Sequence, residues 1–143
     1  MELRPSGPHE AAVLADVHAA TARLAYAHIF GDLPFPLDLT RQRYASFSGR
    51  VVVADECRRV VGFAAAHQQE LCALYVLPEF WDRGVGHRLL VAVAPVRVLW
   101  VLEANVRGRR FYERHGWRPD GFAKIAFGAR ELCYRLGPYG LQP

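Results

Sequence analysis

Lysine is almost missing from this 143-residue chain: of 18 lysines and arginines, only Lys124 is a lysine. The net charge of +4 therefore rests on arginine. Basic residues interleaved with aromatics, as a single-strand binder needs, are absent, so nucleic acid is not expected as a partner. Cysteine is scarce too. Cys57, Cys72 and Cys133 stand far apart, in no metal-ligand spacing and in no disulfide framework. They are expected to be small buried residues in a reducing compartment. No apolar run reaches eighteen residues, so no membrane-spanning helix is expected. Repeats and low-complexity tracts are missing, and the N-terminus has no charged-then-apolar leader pattern. Together these absences predict one domain over residues 1–143, cytoplasmic, with a core of ordinary size and a loose tail from about residue 137.

Apolar spacing divides the chain into elements. Val13, Val17, Ala20 and Leu24 recur at helical intervals over residues 8–27, with Pro8 suited to a first turn. Residues 30–40 are apolar but broken by Pro34 and Pro36. Such a segment either plugs a core or lines a pocket. A helix over residues 39–47 follows, then a strand over 51–54. Residues 60–67 and 70–76 form two strands joined by Gln68-Gln69, which predicts an antiparallel hairpin. Residues 131–136 alternate like an edge or penultimate strand, with 122–127 as partner.

Residues 74–92 carry the strongest chemical signal. An apolar strand ending Leu74-Tyr75-Val76 meets Pro78, and a turn containing Trp81-Asp82-Arg83-Gly84-Val85-Gly86-His87 follows. Val85, Leu89 and Val93 then open a helix. A glycine-rich turn at a helix N-terminus leaves backbone N–H groups unpaired and uncovered, which suits a phosphate or pyrophosphate. The glycines tolerate positive φ and close ligand approach.

A second unit lies about twenty residues on. Val98–Leu102 reads as a buried strand, Asn105 as an N-cap, Val106–His115 as a helix, and Gly116 as its C-terminal stop. The two units together resemble the GNAT superfamily of N-acetyltransferases. The residues that carry the likeness are Leu74-Tyr75-Val76, the loop Trp81–Gly86, Asn105, Phe111-Tyr112-Glu113 and Gly116-Trp117. More loosely, Leu3–Ala12 resembles the family's first strand and helix, and Gly62–Ala66 its third strand. Two departures stand out. Trp81 replaces the usual glutamine or arginine, and Pro95 cuts the helix after the loop short.

The resemblance implies an α/β fold: a mixed, mostly antiparallel sheet of six or seven strands, about four flanking helices, and a splayed parallel strand pair. It implies acetyl transfer from acetyl-CoA to an amine of a small molecule or peptide, with no metal. Trp81, Asp82, Arg83, Gly84, Val85, Gly86 and His87 would hold the pyrophosphate. Leu74, Tyr75 and Val76 would bind the pantetheine arm through their backbone, with an N–H near Val76 polarising the acyl carbonyl. Asn105 and Arg109 would add contacts. Tyr112 would protonate the leaving thiolate, since a phenol with a pKa of about 10 stays protonated near neutrality.

The acceptor's own proton is a separate problem. A lysine-type amine is only about 0.1% neutral at pH 7.4, a cost of about 4 kcal/mol, whereas an α-amine costs well under about 1 kcal/mol. A high-pKa acceptor therefore needs a base. Glu70 is the first candidate, Glu103 the second and His67 the third. Arg107, Arg109 and Arg110 read either as phosphate contacts or as a solvated helix face. A non-catalytic acyl-CoA-binding or sensor domain stays open as the other reading. The apolar 30–37 segment could support a homodimer.

Overall fold

The structure, a computed structural model, describes residues 1–143. In chain order its elements are β1 (Glu2–Pro5), α1 (Ala11–Ala25), α2 (Ala27–Phe30), α3 (Leu37–Ala45), β2 (Arg50–Glu56), β3 (Arg59–His67) and β4 (Glu70–Val76). After a 3-10 turn at Pro78–Phe80 come α4 (Val85–Val93), β5 (Val98–Leu102), α5 (Val106–Arg114), β6 (Trp117–Ala126) and β7 (Ala129–Leu136). All strands share one seven-stranded sheet in the order β1-β2-β3-β4-β5-β7-β6. Every neighbouring pair is antiparallel except β4–β5.

β3 explains how the layers stack. Val60 to Ala66 are all buried, a pattern expected only where both sheet faces are covered. α1 packs against β3 and β4, and α4 packs against β2, β3 and β4. The small residues Gly62, Ala64, Ala65 and Ala66 let those layers close. At Gly62 an added Cβ would come 3.0 Å from the Tyr75 carbonyl oxygen.

A bulge between β3 and β4 sets which side chains of the hairpin face α1. Ala65 faces Ala73, but Ala66 faces Leu71, so Cys72 is the extra residue. The bulge lets Ala73 and Tyr75 share the α1 face with Ala65 and Phe63, while Glu70 shares that face with its partner His67.

Several details differ from expectation. α1 begins at Ala11 and Pro8 sits in the turn before it. There Arg4 binds both Glu10 oxygens at 2.8 and 2.9 Å, and the Gly7 N–H donates to Glu10 at 2.6 Å. β7 is the penultimate strand, one of the two expected places, with β6 flanking it on the outer side and β5 on the inner. The tail is tied down: the Gln142 N–H donates to the His115 carbonyl, and His115 Nδ1 donates to the Gln142 carbonyl, both at 2.8 Å. Cys57 and Cys72 are exposed, and only Cys133 is buried. α4 does stop early. Arg50 caps it by donating to the carbonyls of Val93 (3.2 Å) and Pro95 (3.0 Å).

Candidate active site

β4 and β5 pair only at Glu70–Val98 and Leu71–Leu99. Beyond those pairs the strands part, and the opening leads into a cleft of about 2060 Å³ lined from both faces of the sheet. Strand alternation says which backbone groups face it. The Leu77 N–H donates to Val61 at 2.8 Å, toward β3. Tyr75 and Ala73 therefore also point their backbone at β3, while Leu74 and Val76 present theirs to the gap. Of the expected trio, Leu74 and Val76 have their backbone N–H groups turned to the gap. Tyr75 does not, because the ladder with β3 takes its polar groups.

The loop before α4 has the expected open N–H groups. Gly84 is the N-cap at φ +77°, in the left-handed region, and the first intrahelical bond is Arg88 N–H to Gly84 at 3.1 Å. The N–H groups of Val85, Gly86 and His87 thus have no helical partner, and a Cβ on Gly84 would meet nothing within 4 Å. An anion has free access there.

Gly86 has a different reason. Its φ is not positive, and an added Cβ would lie 3.0 Å from Cζ of Phe111. The second glycine is there to let α4 meet α5. His87 stacks on His115 with ring centroids 4.4 Å apart. Its Nδ1 is buried without a partner, and its pKa is lowered by burial and by His115.

Trp81 does not offer itself to a ligand. Its N–H goes to Pro78 at 3.1 Å, and its indole Nε1 donates to the Val76 carbonyl at 2.7 Å. Arg107 lies 4.1 Å above the Trp81 ring and binds Asp82 at 3.2 Å. Trp81, Asp82 and Arg107 therefore clasp the loop to the start of α5. Arg83 packs on the Phe80 ring and stays outside the cleft.

Asn105 caps α5 through the Gly108 N–H at 3.0 Å and lines the cleft. Tyr112 also lines it, and its hydroxyl makes no hydrogen bond. Burial, together with nearby Tyr26, raises the phenol's pKa above its ordinary value. Arg109 is a correction: it points away, donating to Tyr134 Oη and to the Glu103 carbonyl, both at 3.0 Å. Glu103 is another. It is exposed, pairs with Arg130 at 3.4 Å, and lies outside the cleft. His67 lies outside the main cleft as well. Glu70 alone of the proposed bases lines it, at the end where the strands close. Its carboxylate is exposed, not packed beside Tyr75, and sits 3.9 Å from the Cys72 sulfur.

The α1 face of the cleft holds an aromatic cluster that sequence reasoning did not pick out. His18 stacks on Tyr75 at 3.9 Å and is hydrogen-bonded to Tyr44 at 2.9 Å. Burial, with a contribution from Arg43, pushes its pKa down to about 4, so it is neutral near pH 7. Phe30, Phe35 and Tyr26 complete the wall, with the irregular 31–36 segment lining the cleft rather than plugging the core. The available signal was polarity on a buried stripe: His18 and Thr21 follow Leu14 and Val17 on the same face of α1. No three His, Cys, Asp or Glu side chains gather in a metal-binding group.

Known proteins share this fold. The structure resembles apo YjaB from Escherichia coli, at 21% identity over 94% of this chain and 95% of that one, with a TM-score of 0.75. It resembles PaiA N-acetyltransferase from Thermoplasma acidophilum, solved with coenzyme A, at 18% identity over 94% and 98%, TM-score 0.70. It also resembles ribosomal-protein-alanine N-acetyltransferase from Brucella melitensis, at 20% identity over 94% and 98%, TM-score 0.67. No curated protein matches the sequence significantly. The acetyltransferase (GNAT) domain model matches residues 47–119, from the loop after α3 through the split strands, the glycine loop and α5 into the start of β6. That stretch is half of the chain and holds the strand gap, the glycine-rich loop and Tyr112: the chain belongs to the GNAT acetyltransferase family.

Proposed function

We propose that this protein transfers an acetyl group from acetyl-CoA to a primary amine of a small molecule or peptide, in a ternary complex. One observation carries the reading: the N–H groups of Leu74 and Val76, and the unpartnered hydroxyl of Tyr112, open into one cleft beside an uncovered helix N-terminus. These residues fit the group. Val85, Gly86 and His87 would hold the pyrophosphate by their N–H groups. Leu74 and Val76 would take the pantetheine arm and the acyl carbonyl. When bound, acetyl-CoA supplies a thioester-activated acyl group.

The chain's own residues do the rest. The Val76 N–H is fixed by its strand, so it stabilises charge on the acyl oxygen without reorganising. Tyr112 holds a proton at its hydroxyl, kept there by burial, for the departing sulfur. Glu70, facing the α1 side but six strand residues from Val76, takes the acceptor's proton only through a chain of waters, when the amine has a high pKa. The aromatic wall excludes bulk water from the acceptor.

The test is release of free thiol from acetyl-CoA across α-amines, lysine peptides, polyamines and aminoglycosides. At least one class should release thiol. On that acceptor Tyr112→Phe should lower kcat about 10²-fold with acetyl-CoA affinity nearly unchanged. For a high-pKa acceptor, Glu70→Gln should be most damaging at low pH. Tight acetyl-CoA binding without thiol release would instead make this a binding domain.

A further inference from the structure

A second cavity of about 350 Å³ adjoins the cleft. The two share Arg43, Phe47, Cys72 and Ala73 as walls. The remaining polar lining of the small cavity is Tyr44, Ser46, Ser48 and His67; no carboxylate lines it. Two of these groups are already committed. Ser46 donates to the Gln42 carbonyl at 3.0 Å, and Tyr44 bonds His18. The side chains of Arg43, Ser48 and His67 have no hydrogen-bond partner. Of the other cations along the cleft, Lys124 and Arg107 are matched by Glu131 at 3.7 Å and Asp82 at 3.2 Å, while Arg23, Arg110 and Arg114 line the cleft outside the side pocket. Arg43 is the one arginine that lines the pocket itself. The side pocket is therefore a donor-lined recess with one unmatched guanidinium, beside the closed end of the strand gap.

We propose that this pocket takes the carboxylate of the acceptor, and that the acceptor is a short peptide of two or three residues acetylated on its α-amine. The proposal rests on the transferase reading above. A single guanidinium fork suits a carboxylate. Glu70, 3.9 Å from the Cys72 that walls the pocket, disfavours a dianionic phosphate. Distance sets the length. The pocket wall at Ala73 lies one residue from Leu74 and three from Val76, where the acyl group would sit. At roughly 3.3 Å per strand residue the spread is up to about 10 Å. A dipeptide or tripeptide spans about 7–10 Å between amine and carboxylate, and a single amino acid falls short. The Phe35, His18 and Tyr75 wall lies alongside to pack the peptide's body.

The experiment compares alanine, dialanine and trialanine with their C-terminal amides in the thiol-release assay. The free acid of dialanine or trialanine should exceed its amide at least tenfold in kcat/KM, the usual scale for a hydrogen bond to a charged group, and alanine should be poor. Arg43→Gln should bring the acid-to-amide ratio close to one, and Arg43→Lys should restore part of it. Acetyl-CoA calorimetry on each variant checks that it is folded. Acids and amides acetylated alike, or a preference that survives Arg43→Gln, overturns the proposal and leaves the transferase reading standing. Thiol release from no amine at all removes both.

Discussion

Replacing Gly86 by alanine separates two explanations of the second glycine in the loop. If Gly86 serves ligand approach, alanine damages acetyl-CoA binding and leaves the fold alone. The structure predicts the reverse. Gly86 lies inside α4, where alanine is intrinsically favoured by about 1 kcal/mol. Against that gain, its Cβ falls 3.0 Å from Cζ and 3.2 Å from Cε2 of Phe111. A half-buried ring packed edge-on against Tyr112 and His115 has little room to yield. Overpacking of this kind costs about 1–3 kcal/mol. The net effect is a loss of up to about 2 kcal/mol of stability.

A double-mutant cycle tests the contact itself. Phe111→Leu alone should destabilise by about 1–3 kcal/mol through the lost ring volume. In the Gly86→Ala background it should cost clearly less, because the smaller side chain relieves the crowding. Urea unfolding of the four proteins gives the coupling, expected at about 0.5–2 kcal/mol. Strict additivity would refute the packing explanation and return Gly86 to the ligand. Gly84→Ala is the comparison: with open space around it, its cost is the left-handed φ, about 1–2 kcal/mol, with no coupling to Phe111.

Two contacts that the motif alone did not reveal give further outcomes. Trp81→Gln, which restores the family's usual residue type, should cost about 1–2 kcal/mol in urea unfolding. It removes the indole hydrogen bond to Val76 and the Arg107 stack; unchanged stability would mean the clasp is idle. Acid should unfold the protein in part through Glu10, whose pKa falls to about 2 mainly because of its hydrogen bonds to Arg4. With the folded pKa below the unfolded value of about 4.5, that stability is complete above pH 4.5 and lost as pH falls toward 2. Discounted for solvent screening of this partly exposed pair, it amounts to about 1–2 kcal/mol. Unfolding midpoints measured from about pH 2 to 6 should flatten in Glu10→Gln, and parallel curves for mutant and wild type would rule this contribution out.

The fold was legible wherever local pattern and tertiary role coincide. The β3–β4 hairpin, the Asn105 cap and the αL turn at Gly84 each need only a few neighbouring residues to be specified. The parallel contact of β4 with β5 was not legible from spacing; it came with the family resemblance. The failures have a common cause. Arg109 and Glu103 sit at expected positions in the sequence, yet they were recruited by Tyr134 and Arg130, which arrive more than twenty residues later. Side-chain direction at a strand end depends on partners that no local window contains. The tail was misjudged for the same reason: its anchors are His115 and Gly116.

The two departures from the family pattern turn out to be compensated. α4 is only nine residues long, and its C-terminal carbonyls are covered by Arg50 reaching from β2 rather than by another helical turn. At the other end, Trp81 replaces a side chain with several donors by one that has a single donor, and that donor is fixed on Val76. The consequence is directional. Val76 now has its carbonyl held by the Trp81 indole at 2.7 Å, while the Thr21 hydroxyl, 3.3 Å away, donates to Val17 at 2.8 Å. Its N–H is the polar group left facing the gap. A residue that looks like a defect in the glycine-rich loop therefore acts on the strand instead, fixing the backbone of Val76, whose N–H the proposed chemistry uses. Preorganisation of that kind matters more for charge developing in a transition state than for ground-state binding.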